Sequence, residues 1–184
     1  KKFANIDCFD IEVDEDNPQR LAEIVASLEP TFGAINLEDI KAPDCFEVER
    51  LCKEKMKIPV FHDDQHGTAI VVGAAAVNAI ELSNRKIENT KIVAVGAGAS
   101  GIACLEMLVK LGAKRENIWL SDSKGLITKN RSEINEEKKR FSQDSTLSRL
   151  DGVIKDCDMF LGLSGPGVLT SKMVLKMNKQ PIIF

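Results

Sequence analysis

The chain has 184 residues, a length typical of one large domain or two small ones. Hydrophobic residues make up 43% and charged residues 29%, which excludes collagen-like, low-complexity and wholly disordered proteins. Lysine and arginine total 25 against 28 acidic residues, and the net charge of −3 argues against a nucleic-acid partner.

Membrane and disulfide signals are weak. The longest apolar-rich stretch, residues 68–80, is shorter than the roughly 20 residues of a membrane-spanning helix, so it predicts a buried helix and no membrane partner. The 5 cysteines are scattered without CxxC spacing, which is typical of reduced core thiols in a cytoplasmic protein. The sequence begins without Met and stops inside an apolar run, so we expect an excerpt of a longer chain.

Short apolar runs and amphipathic stretches alternate along the first part of the chain. The predicted elements are a strand at 5–13, a helix from Pro18 to Pro30, a strand at 32–37, a helix capped by Asp44 and running to about Lys57, a strand at 58–61 and a helix at 67–82.

The second part begins after a polar break. Its predicted elements are a strand at 91–95, a glycine turn at 96–101, a helix at 102–111, a strand at 118–121, a loop at 123–130, a polar helix at 132–141, a short helix at 147–154 and a strand at 159–163. The alternation predicts an α/β fold with a doubly wound parallel sheet.

The glycine turn follows the GxGxxG pattern. Its residues are Gly96, Ala97, Gly98, Ala99, Ser100 and Gly101. An apolar strand precedes it, a helix follows, and the next strand ends in the acid Asp122, as a dinucleotide site requires. Free N–H groups at the helix start would meet the pyrophosphate, although a merely compact turn stays an alternative.

Two neighbouring residues give conflicting cues about the dinucleotide. Asp122 stands where an acid hydrogen-bonds the ribose of NAD. Ser123 and Lys124 follow directly, and a lysine there could pair with the extra phosphate of NADP or simply be a solvated loop residue.

Acids follow two of the predicted strands, Glu38 with Asp39 and Asp63 with Asp64. Because the carboxyl ends of parallel strands meet at one edge, these side chains could converge. Close carboxylates repel by roughly 4 kcal/mol per pair at an effective dielectric near 20, so a cation is expected, and oxygen ligands favour Mg²⁺ or Mn²⁺. The alternative is that the acids are solvated loop residues or helix caps.

The spacing of His62 and His66 is superficially similar to the HExxH zinc motif. That motif needs both histidines on one helical face, whereas here a predicted strand precedes and the predicted helix opens only at Gly67. The spacing therefore favours histidines that position neighbouring acids over zinc ligands.

Five strings together resemble malic enzyme, most of all its bacterial-type branch, over essentially the whole chain. They are TFGAINLEDIKAP (31–43), IPVFHDDQHGTAIV (58–71), VGAGASGIA (95–103), SDSKGLI (121–127) and LGLSGPGVLT (161–170). The resemblance implies oxidative decarboxylation of (S)-malate to pyruvate and CO₂, a divalent metal, and NADP or NAD, with NADP slightly favoured. It also implies a homodimer or larger homo-oligomer.

The resemblance assigns roles residue by residue. Glu38, Asp39 and Asp64 match the metal-binding acids, Asp63 and Asp64 belong to the catalytic set with Asp63 supporting the base, and Ser164 falls in a cofactor-binding string. Residues 1–64 match part of a substrate and metal domain with a second α/β fold, and residues 65–184 match a Rossmann-type dinucleotide-binding domain, incomplete at its C-terminal end.

The family's catalytic lysine and tyrosine lie outside this sequence, which contains no tyrosine. A catalytically incomplete fragment or a non-catalytic dinucleotide-binding module is therefore the main alternative. Another NAD-linked dehydrogenase and a zinc hydrolase are weaker ones.

Overall fold

A computed structural model describes residues 2–184, and Lys1, where the first predicted domain begins, lies outside the described residues. The helices are α1 (Pro18–Ser27), α2 (Asp44–Lys55), α3 (Thr68–Leu82), α4 (Ala99–Lys110), α5 (Glu136–Lys139), α6 (Leu150–Val153) and α7 (Ser171–Val174). The strands are β1 (Ile35–Leu37), β2 (Val60–His62), β3 (Ile92–Val95), β4 (Ile118–Asp122), β5 (Gly125–Leu126), β6 (Met159–Gly162) and β7 (Ile182–Ile183).

The larger sheet has the strand order β5-β4-β3-β6-β7, and its pairs are parallel except for the antiparallel β4-β5 pair. Alternate residues of β3 pack on opposite faces: Ile92 and Ala94 join one core cluster with α3 and α4, whereas Val93 and Val95 join another beneath α6 and α7. Because both faces are covered, the predicted α/β fold with a mostly parallel, doubly wound sheet is confirmed.

The order of the strands reverses beside β3. The chain passes from β3 through α4 to β4 on one side, and β6 pairs with β3 on the other side. In sheets of this kind the ligand crevice opens at such a switch point, outside the carboxyl ends of the strands.

The smaller sheet consists of β1 and β2, which pair in parallel with Leu37 opposite His62. Helices α1 and α2 pack together on it around a separate core that includes Ala22, Val48 and Val60. Local sequence explains α1, since Pro18 occupies its first turn and the Asn17 side chain accepts a hydrogen bond from the Arg20 N–H at 3.0 Å.

Three predicted elements differ in the structure. The prediction of a strand at residues 5–13 is wrong. The segment forms no strand, because no strand in residues 2–184 lies beside it to pair with its backbone. The polar helix expected at 132–141 shrinks to α5, since the Asn135 side chain caps the Lys138 N–H and starts the helix late. The loop expected at 123–130 contains β5.

Helical structure also begins earlier than expected before α3. A π-helical turn, Asp63–Gly67, leads directly into α3, so Gly67 ends this turn instead of opening the helix. Among the described helices, none is both long and apolar enough to cross a membrane.

Candidate active site

The glycine turn connects β3 to α4. Gly96 has a φ of +113°, and a Cβ there would lie 2.5 Å from the Leu163 carbonyl oxygen, so only glycine fits. A Cβ on Gly101 would overlap the Gly96 carbonyl oxygen, whereas one on Gly98 would meet nothing within 4 Å. Gly98 is also the N-cap of α4 and provides no side-chain cap for the free N–H groups.

An open cavity of about 560 Å³ lies at this turn, between the ends of β3 and β6. Among the predicted cofactor residues, those that line it are Gly96, Ala97, Gly98, Asp122, Ser123 and Ser164. Ala99, Ser100 and Gly101 form the first turn of α4 and do not line it.

The cavity suits a dinucleotide on three counts. The uncapped start of α4 offers N–H groups to an anion, and the space above Gly98 lets backbone approach it. In addition, Ser123 and Ser164, which carry hydroxyl groups, line the cavity. The residues present therefore fit a pyrophosphate-containing cofactor.

Asp122 is held by cations instead of standing free. Arg131 donates two hydrogen bonds to its carboxylate at 2.9 and 3.1 Å, and Lys138 donates one at 2.9 Å. Burial raises the pKa of Asp122. The hydrogen bonds from Arg131, Lys138 and the Lys124 N–H outweigh that effect and lower the pKa to about 2. Lys138 also lines the cavity.

Lys124, the predicted partner of an NADP phosphate, extends elsewhere. Its side chain is 63% exposed, pairs with Glu133 at 2.7 Å and does not line the cavity. Sequence reasoning missed Arg131 and Lys138; the signal was available, because an acid ending a buried strand needs basic partners and the following polar segment is rich in them.

The two acid pairs come to one edge of the smaller sheet, as the parallel pairing of β1 and β2 requires. The chain leaves the strand at Asp39, whose φ is +57°, and the Asp39 N–H donates to Asp64 Oδ2 at 3.1 Å. Glu38 accepts a long hydrogen bond of 3.5 Å from Asn36, and Asp63 begins the π-helical turn.

This edge does not form a ready metal site. In residues 2–184 no three His, Cys, Asp or Glu side chains are gathered in a way that could hold a metal ion. Glu38, Asp39 and Asp64 offer the carboxylate oxygens that Mg²⁺ or Mn²⁺ takes, but their side chains are not gathered around one point in the described residues. The same finding covers His62 and His66, and His62 lies fully buried with neither ring nitrogen hydrogen-bonded.

A buried carboxylate that the sequence did not single out lies beside the acid turn. Glu49 on α2 is 8% exposed and receives hydrogen bonds from Lys53 at 2.6 Å, from Gln65 at 3.2 Å and from the His66 ring. Burial raises the pKa of Glu49, but the bonds from Lys53 and His66 prevail and hold it below its usual range. Such a residue escapes pattern reasoning because helix spacing does not reveal which acid is buried.

The acid turn and the cavity adjoin. Helix α4 packs against the turn Asp63–Gly67, and Ala42 and Pro43, which follow Glu38 and Asp39, line the cavity. The acids of the smaller sheet thus lie beside the crevice of the larger one, an arrangement that can bring a small polar substrate next to a dinucleotide.

Comparisons with known proteins agree with this geometry. The family model described as "Malic enzyme, NAD binding domain" matches residues 65–184. The chain is 54% identical over 184 residues to an NAD-dependent malic enzyme of Rhizobium meliloti and 52% identical over 185 residues to an NADP-dependent malic enzyme of Haemophilus influenzae. All of this chain is covered in both comparisons, but only 24% of each relative.

Solved structures give the same result. The crystal structure of an NAD-dependent malic enzyme from Thermotoga maritima superposes with a TM-score of 0.93 at 42% identity. That match covers 100% of this chain and 50% of the other. The malic enzyme from Pyrococcus horikoshii superposes with a TM-score of 0.92 at 34% identity, covering 99% of this chain and 45% of the other.

Proposed function

Because the chain belongs to the malic enzyme family, we propose that it acts in the oxidative decarboxylation of (S)-malate to pyruvate and CO₂, with reduction of NADP or NAD. The observation that carries the proposal is that the dinucleotide cavity and the acid-bearing edge of the smaller sheet adjoin. Pro43 lines the cavity just after Glu38 and Asp39, and α4 packs against the turn Asp63–Gly67.

The cofactor half of the proposal concerns the glycine turn. A bound nicotinamide dinucleotide supplies the acceptor for the hydride that leaves C2 of malate. The free N–H groups at the start of α4 would hold its pyrophosphate, and Ser123 and Ser164 line the same cavity. The role proposed for these residues is to bind and orient the cofactor.

We propose NADP as the preferred dinucleotide. Asp122 already accepts hydrogen bonds from Arg131 and Lys138, so it is less available to a ribose hydroxyl. The Asp122 carboxylate balances only one of the two cations, so a net positive charge is left at the cavity. This charge favours the additional phosphate that NADP has and NAD lacks. Replacing Lys138 with Gln should lower kcat/KM for NADP about tenfold with little change for NAD, whereas Lys124→Gln serves as the matched control.

The second half of the proposal concerns the acids of the smaller sheet. It assigns Asp63 and Asp64 to catalysis, with Asp63 supporting the group that acts as the catalytic base. Malate is itself an anion, so the carboxylates at this edge would repel it in the absence of a cation. This argument supports Glu38, Asp39 and Asp64 as a set for Mg²⁺ or Mn²⁺. Since their side chains are not gathered into a metal site in residues 2–184, the metal proposal depends on the chemistry of the three carboxylates alone.

The proposal extends to organisation. We propose a substrate and metal domain at residues 1–64 and a cofactor domain at 65–184, a homodimer or larger assembly, and a cytoplasmic location. Support for the division is that the core around Ala22, Val48 and Val60 draws its buried members from the first part of the chain, whereas both cores of the larger sheet draw theirs from the second.

The test is an assay of nicotinamide reduction with (S)-malate and Mn²⁺, by protein expressed from its complete gene. NADP and NAD are compared, and each assay is repeated with the metal chelated. Turnover that needs the metal is expected. Tight dinucleotide binding without any turnover of malate would instead favour a non-catalytic dinucleotide-binding module.

A further inference from the structure

The buried acid on α2 has an unusual set of partners. Glu49 accepts hydrogen bonds from Lys53 of its own helix and from Gln65 and His66 of the neighbouring turn. Gln65 is itself 5% exposed, and the His66 ring packs against Phe61 with centroids 5.5 Å apart. Two of the three donors thus belong to the segment that carries Asp63 and Asp64.

That segment is a π-helical turn, a form that is rare and frequent at functional sites. One side of the turn Asp63–Gly67 packs against α3 and α4. Glu49 holds it from the side of α2. The Asp64 carboxylate accepts a hydrogen bond from the Asp39 N–H at 3.1 Å. A displacement of the turn Asp63–Gly67 would therefore also change how the two acid pairs meet.

Helix α2 is connected to both acid pairs. It begins at Asp44, only a few residues after Glu38 and Asp39. Through Glu49 it also accepts a hydrogen bond from Gln65, which lies in the turn of the second acid pair. A rigid helix joined to both loops fixes one loop relative to the other, which is how supporting residues hold a catalytic constellation.

We propose that Glu49 is a positioning residue, whose buried carboxylate holds Gln65 and His66 and thereby sets Asp63 and Asp64 against Glu38 and Asp39. The inference rests on the proposed function, since it concerns the malate-facing half of that site. A merely structural Glu49 would affect the stability of the protein without a selective effect on the handling of malate.

The test is the variant Glu49→Gln in protein expressed from its complete gene. The amide cannot accept from all three donors, so we expect kcat/KM for malate to fall about tenfold or more, while KM for the dinucleotide stays within about twofold. Glu54→Gln is the matched control on the same helix, because it removes an exposed ion pair with Arg50 at 2.8 Å. The control should leave all kinetic constants unchanged.

The outcomes separate the two proposals. Wild-type protein that never oxidises malate overturns the proposed function and this inference together. An active wild type with an equally active Glu49→Gln variant overturns this inference alone, as does a variant that only melts at a lower temperature. A parallel loss toward malate and dinucleotide would also overturn it, because that loss would indicate a general distortion.

A second variant covers the case in which Glu49→Gln does not fold. Gln65→Met removes one donor with little change in side-chain volume and leaves Lys53 and His66 on Glu49. A fall in kcat/KM for malate of about threefold or more, at unchanged KM for the dinucleotide, would support the inference. Unchanged malate kinetics in this variant would contradict it.

Discussion

Gly98 and Gly101 lie in the same turn, yet their surroundings are opposite. A Cβ on Gly98 would meet nothing within 4 Å, and its φ of −86° suits any residue. A Cβ on Gly101 would overlap the Gly96 carbonyl oxygen and lie 2.9 Å from the carbonyl carbon. Replacing each glycine with alanine therefore separates a binding role from a packing role.

Gly98→Ala should bind the dinucleotide poorly without losing stability. Its free energy of unfolding should stay unchanged or rise by about 0.4–1 kcal/mol, because alanine restricts the unfolded chain more than glycine does. The added methyl group occupies the space through which the pyrophosphate reaches the backbone. We expect affinity to fall about tenfold or more, which corresponds to about 1.4 kcal/mol.

Gly101→Ala should instead destabilise the fold, because α4 must move away from the turn to make room for the methyl group. Overpacking of this kind costs roughly 1–3 kcal/mol. For a chain of this size each kcal/mol lowers Tm by about 2–4 °C, so a fall of roughly 2–12 °C is expected.

Two measurements check the pair. Urea unfolding can be followed by the fluorescence of Trp119, the only tryptophan of the sequence, which lies in β4. Dinucleotide affinity can be measured from the fluorescence of NADPH on titration. Wild-type affinity in Gly98→Ala would refute the placement of the pyrophosphate, and wild-type stability in Gly101→Ala would refute the tight packing of α4.

Three further predictions concern charge, metal and thiols. Asp122→Asn should lower the free energy of unfolding at pH 7 by about 2 kcal/mol, because the pKa of Asp122 in the folded protein is about 2, below its ordinary value of about 3.9. Measured by urea unfolding, the difference between the variant and the wild type should vanish as the pH falls from about 4 to about 2. Asp64→Ala should abolish activation by Mn²⁺ in the malate assay but leave NADP affinity intact, and a variant still activated by Mn²⁺ would exclude Asp64 as a ligand. In the folded protein Ellman's reagent should react quickly with the exposed Cys8 alone, since burial raises the pKa of Cys104 to about 11 and of Cys157 to about 12; rapid reaction of a second thiol would contradict the burial.

The sequence pattern correctly predicted the helices and strands that depend on residues close together in the chain. Pro18 and the apolar spacing after it indicated α1, and the short apolar runs indicated β3 and β6 within a residue or two. Residues 5–13 carried an equally plausible alternation but formed no strand. A strand needs a neighbour for its backbone hydrogen bonds, and a sequence pattern does not say whether one is present.

The candidate site divides in the same way. The GxGxxG pattern identified the turn, because glycine is required wherever φ is positive or backbones approach closely, as at Gly96 and Gly101. Lys124 was a plausible phosphate partner by position in the sequence, yet its side chain pairs with Glu133. Lys138 reaches Asp122 across 16 residues, which only the path of the intervening chain could bring about.

Residue types at neighbouring positions are enough to predict the alternation of strands and helices, the glycine turn and the acids that follow β1 and β2. Which of these groups meet depends on how the chain folds. The tertiary structure joined Asp122 to Lys138, turned Asp64 toward the Asp39 N–H, and buried Glu49 against Gln65 and His66. The physical reason is that burial and ion pairing depend on distances between segments far apart in the chain, and side-chain patterns within one segment do not encode those distances.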